Sequence, residues 1–279
     1  MALLHCTLKS KALNMNTDIH VVLPETDYSK GEAPVRHPVL YLLHGASDNY
    51  SNWLRNTRIE EFASEAGLAV VMPSADLSFY LDMALGHYYY TYITVELPRF
   101  VETMFPVSRK REDTFVAGLS MGGYGALRIG LANPERFAAV GSFSAAADLG
   151  ALKDLSALLE MLKEQERSLY PPEEYIPSAP MANLFPTVLG DAAFEGTDKD
   201  PRWLARDILE HGKPVPLLYI TCGTQDPLYG MNEEYREELD NMGFPYGFDE
   251  WEDGHTWPFW NESVRRFIER LNLNKRGNS

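Results

Sequence analysis

Cysteine is scarce, with Cys6 and Cys222 the only two in 279 residues. They have neither the paired spacing of a zinc site nor the density of a secreted disulfide framework, so both are expected to be buried thiols in a reducing cytoplasm. Long apolar runs are also missing. No stretch approaches the roughly 18 to 20 residues that a membrane-spanning helix needs, which excludes membrane insertion. The opening Met1-Ala2-Leu3-Leu4-His5-Cys6-Thr7 has no basic leader ahead of an apolar run, so no signal peptide is expected. Nor is there a cluster of Lys and Arg. The formal net charge is -15, which would repel nucleic acid or an anionic membrane surface. The chain lacks internal repeats, low-complexity tracts, a His-Glu-x-x-His motif and a phosphate-cradling glycine loop. Neither a metal nor a cofactor is expected.

What the chain does contain is a core and a rhythm. Hydrophobic residues make up 45% and aromatic residues 12%, enough apolar surface for one large domain over residues 1–279. Residues 3–11 and 18–23 are β-rich, and Asn14-Met15-Asn16 between them reads as the turn of an antiparallel hairpin. Val39-Leu40-Tyr41-Leu42-Leu43, Leu68-Ala69-Val70-Val71-Met72 and Thr114-Phe115-Val116-Ala117 follow as short, continuously apolar runs. Such runs suit strands covered on both faces, as in a parallel sheet flanked by helices. Residues 138–143, 217–221 and 246–252 read as further strands. Helical patterns cover 94–104, 122–132, 232–242 and 259–271. Strands alternating with helices predict a doubly wound, mostly parallel α/β sheet with an N-terminal antiparallel hairpin. After the sixth strand the rhythm breaks over residues 148–200. A charged helix-like stretch at 152–169 leads there into Pro171, Pro172, Pro177, Pro180 and Pro186. This reads as an insertion, either a lid or an oligomer contact, and self-association is left open.

The chemistry concentrates at Gly118-Leu119-Ser120-Met121-Gly122. A bare Gly-x-Ser-x-Gly arises by chance in about one chain in ten of this length. Here, however, an apolar strand ends just before it and a helical pattern begins just after. That context carries the signature of a nucleophile elbow, a sharp strand-to-helix turn on which only glycines leave room beside the serine. The following helix aims unpaired amides and its positive dipole end at the reacting carbon. Such a serine needs a base, and the base needs an acid to hold its tautomer, in the order Ser, Asp or Glu, His. Only His211 and His255 follow Ser120. His211 reads as a helix C-terminus, whereas His255 lies in the loop between the last strand and the last helix, so His255 is the expected base. Asp226 follows the strand at 217–221 and falls at the carboxyl edge of the sheet, where sites of α/β folds gather. It is the expected acid, ahead of Glu252, Asp253, Asp191 and Asp198. Strand 39–43 ends in His44-Gly45-Ala46, which places the Ala46 amide beside that of Met121 as an oxyanion hole. His44 is expected to fix this loop, and Gly45 and Trp53 to border the substrate.

With these residues in view, the chain resembles the esterase D family of α/β-hydrolases, within it the branch of tributyrin esterases. The resemblance runs nearly end to end: Tyr41-Leu42-Leu43-His44-Gly45 leading to Trp53, Leu81-Asp82-Met83, the aromatic segment His87 to Thr94, the elbow through Gly125, Cys222-Gly223-Thr224-Gln225-Asp226, and Gly254-His255-Thr256-Trp257 with Trp260. It implies a serine carboxylesterase acting on short acyl esters, with relatives that remove acetyl or feruloyl groups from carbohydrates. A sister branch hydrolyses S-formylglutathione and usually carries Ser-Gly-Leu-Thr-Cys where this chain has His44-Gly45-Ala46-Ser47-Asp48. The remaining rival is a catalytically silent hydrolase scaffold that binds a partner.

Overall fold

The computed structural model describes residues 1–25, 36–152 and 184–273. Eight strands form one sheet: β1 (Ala2–Ser10), β2 (Met15–Leu23), β3 (Val39–Leu43), β4 (Ala69–Pro73), β5 (Thr114–Leu119), β6 (Ala139–Phe143), β7 (Leu217–Gly223) and β8 (Gly247–Trp251). Their spatial order is β1-β2-β4-β3-β5-β6-β7-β8. β1 and β2 pair antiparallel, as do β2 and β4, and every pairing from β4 through β3 to β8 is parallel.

The continuous apolarity of β3, β4, β5 and β6 has the cause expected of it, since every residue of these strands is buried. Along β3 successive side chains divide between two cores. Val39, Tyr41 and Leu43 join one cluster, and Leu40 and Leu42 the other. Over the first face lie α3 (Tyr89–Thr91), running through a π-helical stretch (Tyr92–Glu96) into α4 (Leu97–Met104), then α5 (Met121–Ala132), α6 (Leu184–Leu189), α7 (Pro201–Glu210) and α8 (Tyr229–Met242). Over the second lie α1 (Asn52–Asn56), α2 (Ile59–Ala66) and α9 (Trp257–Arg270). In α9 the buried residues Phe259, Trp260, Ser263, Val264, Phe267 and Ile268 recur with helical spacing and make its core-facing stripe.

Two details depart from expectation. The hairpin turn lies at Lys11–Asn14 rather than 14–16: the Asn14 amide bonds the Lys11 carbonyl at 3.2 Å, and Asn14 adopts φ 52°. An asparagine tolerates that left-handed conformation, which frees Met15 and Asn16 for the strand. Of the two free thiols, Cys222 is buried but Cys6 is partly exposed, because it lies on the outer hairpin strand. The charged stretch at 152–169 and its proline-rich continuation fall almost wholly outside the described residues. Among those described, no helix is long and apolar enough to cross a membrane.

Candidate active site

Four strand ends meet at one edge of the sheet. β5 delivers Ser120, β7 leads to Asp226, β8 to His255 and β3 to His44-Gly45. Because β3, β5, β6, β7 and β8 run parallel, these carboxyl ends share one side.

Ser120 has φ 54° and ψ -116°, a conformation that L-residues rarely adopt. Bonds on both sides of the residue hold it there. Its amide donates to the Phe143 carbonyl at 2.8 Å, and its carbonyl accepts from Tyr124 at 3.1 Å and Ala146 at 3.2 Å. The flanking glycines are required by space. A Cβ on Gly118 would lie 2.3 Å from the Gly122 carbonyl oxygen, and one on Gly122 would lie 2.5 Å from the carbonyl oxygens of Leu43 and His44.

His255 Nε2 lies 3.0 Å from Ser120 Oγ, and His255 Nδ1 lies 2.9 Å from Asp226 Oδ2. A carboxylate can only accept, so the imidazole carries its proton on Nδ1 and turns the Nε2 lone pair toward the serine hydroxyl. Asp226 Oδ1 accepts from the Leu228 amide at 2.8 Å. Burial alone would push this carboxyl's pKa up. The bonds from His255, Leu228 and the Ser144 hydroxyl outweigh that cost and hold it below the ordinary value, keeping Asp226 ionised. The Asp226 side chain is fully buried, whereas His255 keeps 29% of its surface exposed. The imidazole is thus reachable from solvent while its partner is not. One edge of the ring packs on Trp260, centroid to centroid 4.8 Å.

Of the other carboxylates considered from sequence, Asp191 is exposed and the remaining three are occupied elsewhere. Asp253 Oδ1 accepts from Gly254 N and Thr256 Oγ1 at the start of α9, and Glu252 faces Gln225 on the surface. Asp198 pairs with the buried Arg128 at 3.0 Å. His211 sits at the C-terminus of α7 beside Asp207.

His44 is buried, and both of its ring nitrogens are used. Nε2 accepts from the Ala75 amide at 2.9 Å, so Nδ1 donates to the Gly45 carbonyl at 2.7 Å. The Asp48 amide bonds the same carbonyl at 3.4 Å, and Ser47 takes φ 66° within that turn. A planar trans peptide points N–H opposite to C=O. Holding the Gly45 carbonyl inside the turn therefore directs the Ala46 amide out of it. The turn runs close to the nucleophile, since a Cβ on Gly45 would lie 3.6 Å from Ser120 Cβ. Met121, as the first residue of α5, contributes one of the helix's unpaired amides. Trp53, expected against the substrate, is instead 1% exposed. It donates to the Leu43 carbonyl at 3.0 Å and packs edge-on against Phe143 and Trp257. Its side chain supports the strand end from within the core.

Burial depresses the His44 pKa to about 4. The unfolded chain takes up this proton near pH 6.5 and the folded chain only near pH 4, so between these values the unfolded state binds the extra proton. The contribution is complete above the upper limit and is lost as pH falls to the lower, for a total of about 3 kcal/mol. Denaturant midpoints measured across that window should fall on acidification, and a His44→Asn variant should show a flatter dependence.

Sequence reasoning missed three supports. Tyr80 is buried at φ 57° and donates to the His44 carbonyl at 2.8 Å; its ring fills the space left by the missing side chain of Gly125. Buried Asn232 accepts from Ala145 N at 3.3 Å and donates to Ala145 O and Leu228 O, each at 2.9 Å. Ser144 is buried at φ 47°, one residue before the Ala145 that Asn232 holds. None belongs to a recognisable motif. The only available signal was the placement of 144–146 at the end of a strand adjoining the elbow.

The family model described as "Putative esterase" matches residues 10–270. The chain belongs to this esterase family. An acetyl esterase of Caldicellulosiruptor saccharolyticus is 32% identical over 275 residues, covering 96% of this chain and 97% of the relative. Among solved structures, the substrate-bound fluorophosphonate-binding serine hydrolase FphF of Staphylococcus aureus superposes with a TM-score of 0.83 at 30% identity, covering 97% of this chain and 98% of that one. The apoenzyme of S-formylglutathione hydrolase FrmB from Staphylococcus aureus gives a TM-score of 0.81 at 32% identity, with the same coverage. The esterase is thus a serine hydrolase of the carboxylic-ester class with the α/β-hydrolase fold.

Proposed function

We propose that this esterase hydrolyses short-chain acyl esters through an acyl-enzyme on Ser120. The observation that carries the reading is the unbroken line from Asp226 through His255 to Ser120 Oγ, with contacts of 2.9 and 3.0 Å, on a strained elbow. His255 takes the serine proton, and Ser120 attacks the carbonyl. The amides of Ala46 and Met121 hold the oxyanion, and His255 then returns the proton to the leaving alcohol. Water, deprotonated by the same imidazole, releases the acid. Asp226 keeps the tautomer and offsets the positive charge on the imidazolium. Gly45 contributes by leaving space for the ester beside Ser120. Similarity to the acetyl esterase supports a small acyl group. The reading includes one hydrolase domain with 148–200 as an insertion, and a cytoplasmic location, consistent with two unpaired thiols.

A second reading, thioester hydrolysis, is favoured by the likeness to FrmB. One assay separates the two. Initial rates on p-nitrophenyl acetate, p-nitrophenyl butyrate, an acetylated sugar, a feruloyl ester and S-formylglutathione are compared, with Ser120→Ala as the blank. Oxygen esters are expected to be cleaved well above the blank. A dominant rate on S-formylglutathione would replace the first reading by the second, and no rate above the blank on any substrate would overturn both.

A further inference from the structure

The sheet ends in two unlike strands. β1 pairs with β2 and β8 with β7, and among the described residues no strand lies beyond either. Such an edge offers a row of backbone N–H and C=O groups to another strand, and native proteins commonly guard it with charge. β8 is guarded. Its five residues include Asp249 and Glu250, and a second copy laid antiparallel along all five would set Asp249 against Asp249. β1 has no such guard: it runs nine residues, Ala2–Ser10, without proline or carboxylate, and its one formal charge is Lys9. The chain holds 40 acidic residues, yet none precedes Asp18. On a molecule of net charge -15, this edge is where two copies can approach with least repulsion.

The side chains of β1 alternate between two faces. Leu8 belongs to the core of the first face, and Leu4 and Cys6 pack against that core while staying partly exposed. Leu3, His5, Thr7 and Lys9 point the other way and are exposed, Leu3 by 50%. Residues directly opposite in an antiparallel pair point to the same face. If the strand pairs with a copy of itself, a two-fold axis through Cys6, its central residue, is the one that matches all nine residues. That axis sets Cys6 opposite Cys6, Leu4 opposite Leu8, His5 opposite Thr7 and Leu3 opposite Lys9 of the second copy. The apolar row Leu4, Cys6, Leu8 then continues across the junction, and no like charges face each other.

We infer that the free edge of β1 is an interaction surface for a second copy of this chain, the two β1 strands pairing antiparallel about Cys6 so that the two sheets join into one. The contact is isologous and closed, and it leaves only the charge-guarded β8 edges outward. Main-chain hydrogen bonds supply its affinity, and the Leu4, Cys6, Leu8 row supplies its register. β1 is separated from β3 by β2 and β4, so the junction lies away from Ser120. The inference is independent of the proposed hydrolysis.

Sedimentation equilibrium of the full chain at micromolar concentration tests it, alongside Leu3→Glu, the double variant Leu3→Glu/Lys9→Glu, and Cys6→Ser. The parent is expected at twice the 31.6 kDa of one chain. Leu3→Glu sets a carboxylate opposite Lys9 of the second copy and should leave the dimer intact. Adding Lys9→Glu sets carboxylate against carboxylate at both ends of the pair and should give a monomer. Both positions are exposed, so the variants should melt like the parent. A second measurement reads the axis directly. Opposed residues have Cα atoms about 4.5 to 5.5 Å apart, within the roughly 4.4 to 6.8 Å that a disulfide bridges. Oxidation of the parent by copper-phenanthroline should therefore give a covalent dimer that dithiothreitol reverses and that Cys6→Ser cannot form. A parent that sediments as a monomer would overturn the inference. So would a dimer that survives in the double variant, is already lost in Leu3→Glu, or yields no link through Cys6.

Discussion

Asp226→Asn should lower kcat for p-nitrophenyl acetate by about ten-thousandfold, with the melting temperature close to the parent's. The geometry gives the reason. Oδ1 accepts from Leu228 N at 2.8 Å and Oδ2 from His255 Nδ1 at 2.9 Å. An asparagine has one acceptor oxygen for these two donors. Keeping the oxygen on the backbone amide leaves an NH₂ group against the imidazole, and the ring answers by moving its proton to Nε2. It then presents a donor to Ser120 Oγ and cannot take the serine proton. Because the two side chains are nearly isosteric in a buried position, folding is little affected. Single-turnover and steady-state rates, read together with thermal melts, check both halves. A variant within tenfold of the parent would remove Asp226 from its assigned role and return the choice of acid to Glu252 or Asp253.

Asp226, His255 and Ser120 were legible in the sequence because each stands just beyond an apolar strand, and short loops leave little freedom in where such residues point. The position of the His44-Gly45 turn beside Ser120 was legible for the same reason, as was the hold of His44 on that turn. Trp53 was misplaced because sequence shows that a large aromatic lies near a loop but not which side of the strand end it enters. Its indole goes under β3 to the Leu43 carbonyl, into the core shared with Phe143 and Trp257. Ser144, Asn232 and Tyr80 left no trace because they act through tertiary contacts: Asn232 is brought to Ala145 from a separate helix, and Tyr80 reaches His44 across 36 residues. The hairpin turn was displaced because the left-handed residue is Asn14, and sequence cannot tell which asparagine of Asn14 and Asn16 takes that conformation.

Gly118→Ala should cost more than about 4 kcal/mol and sharply reduce the yield of soluble protein, a loss far above that of an ordinary surface change. The added carbon would lie 2.3 Å from the oxygen and 2.5 Å from the carbon of the Gly122 carbonyl, and 2.8 Å from Leu43 Cβ. The first two atoms are backbone in the first turn of α5, where no rotamer change can make room. Moving α5 outward would drag Met121 from its position beside the nucleophile and break the contacts of Ser120 with Phe143, Tyr124 and Ala146. Stability and site geometry are therefore coupled through the same two glycines. Gly230→Ala supplies the contrast, because nothing lies within 4 Å of a Cβ there and the residue is in α8. It should be neutral or stabilising by about 0.5 kcal/mol, as alanine favours the helix. Thermal melts and ester hydrolysis of the pair distinguish a crowding effect from a general intolerance of alanine. Parent-like stability in Gly118→Ala would show that the elbow can open without loss, which its packing between Leu43 and Gly122 forbids.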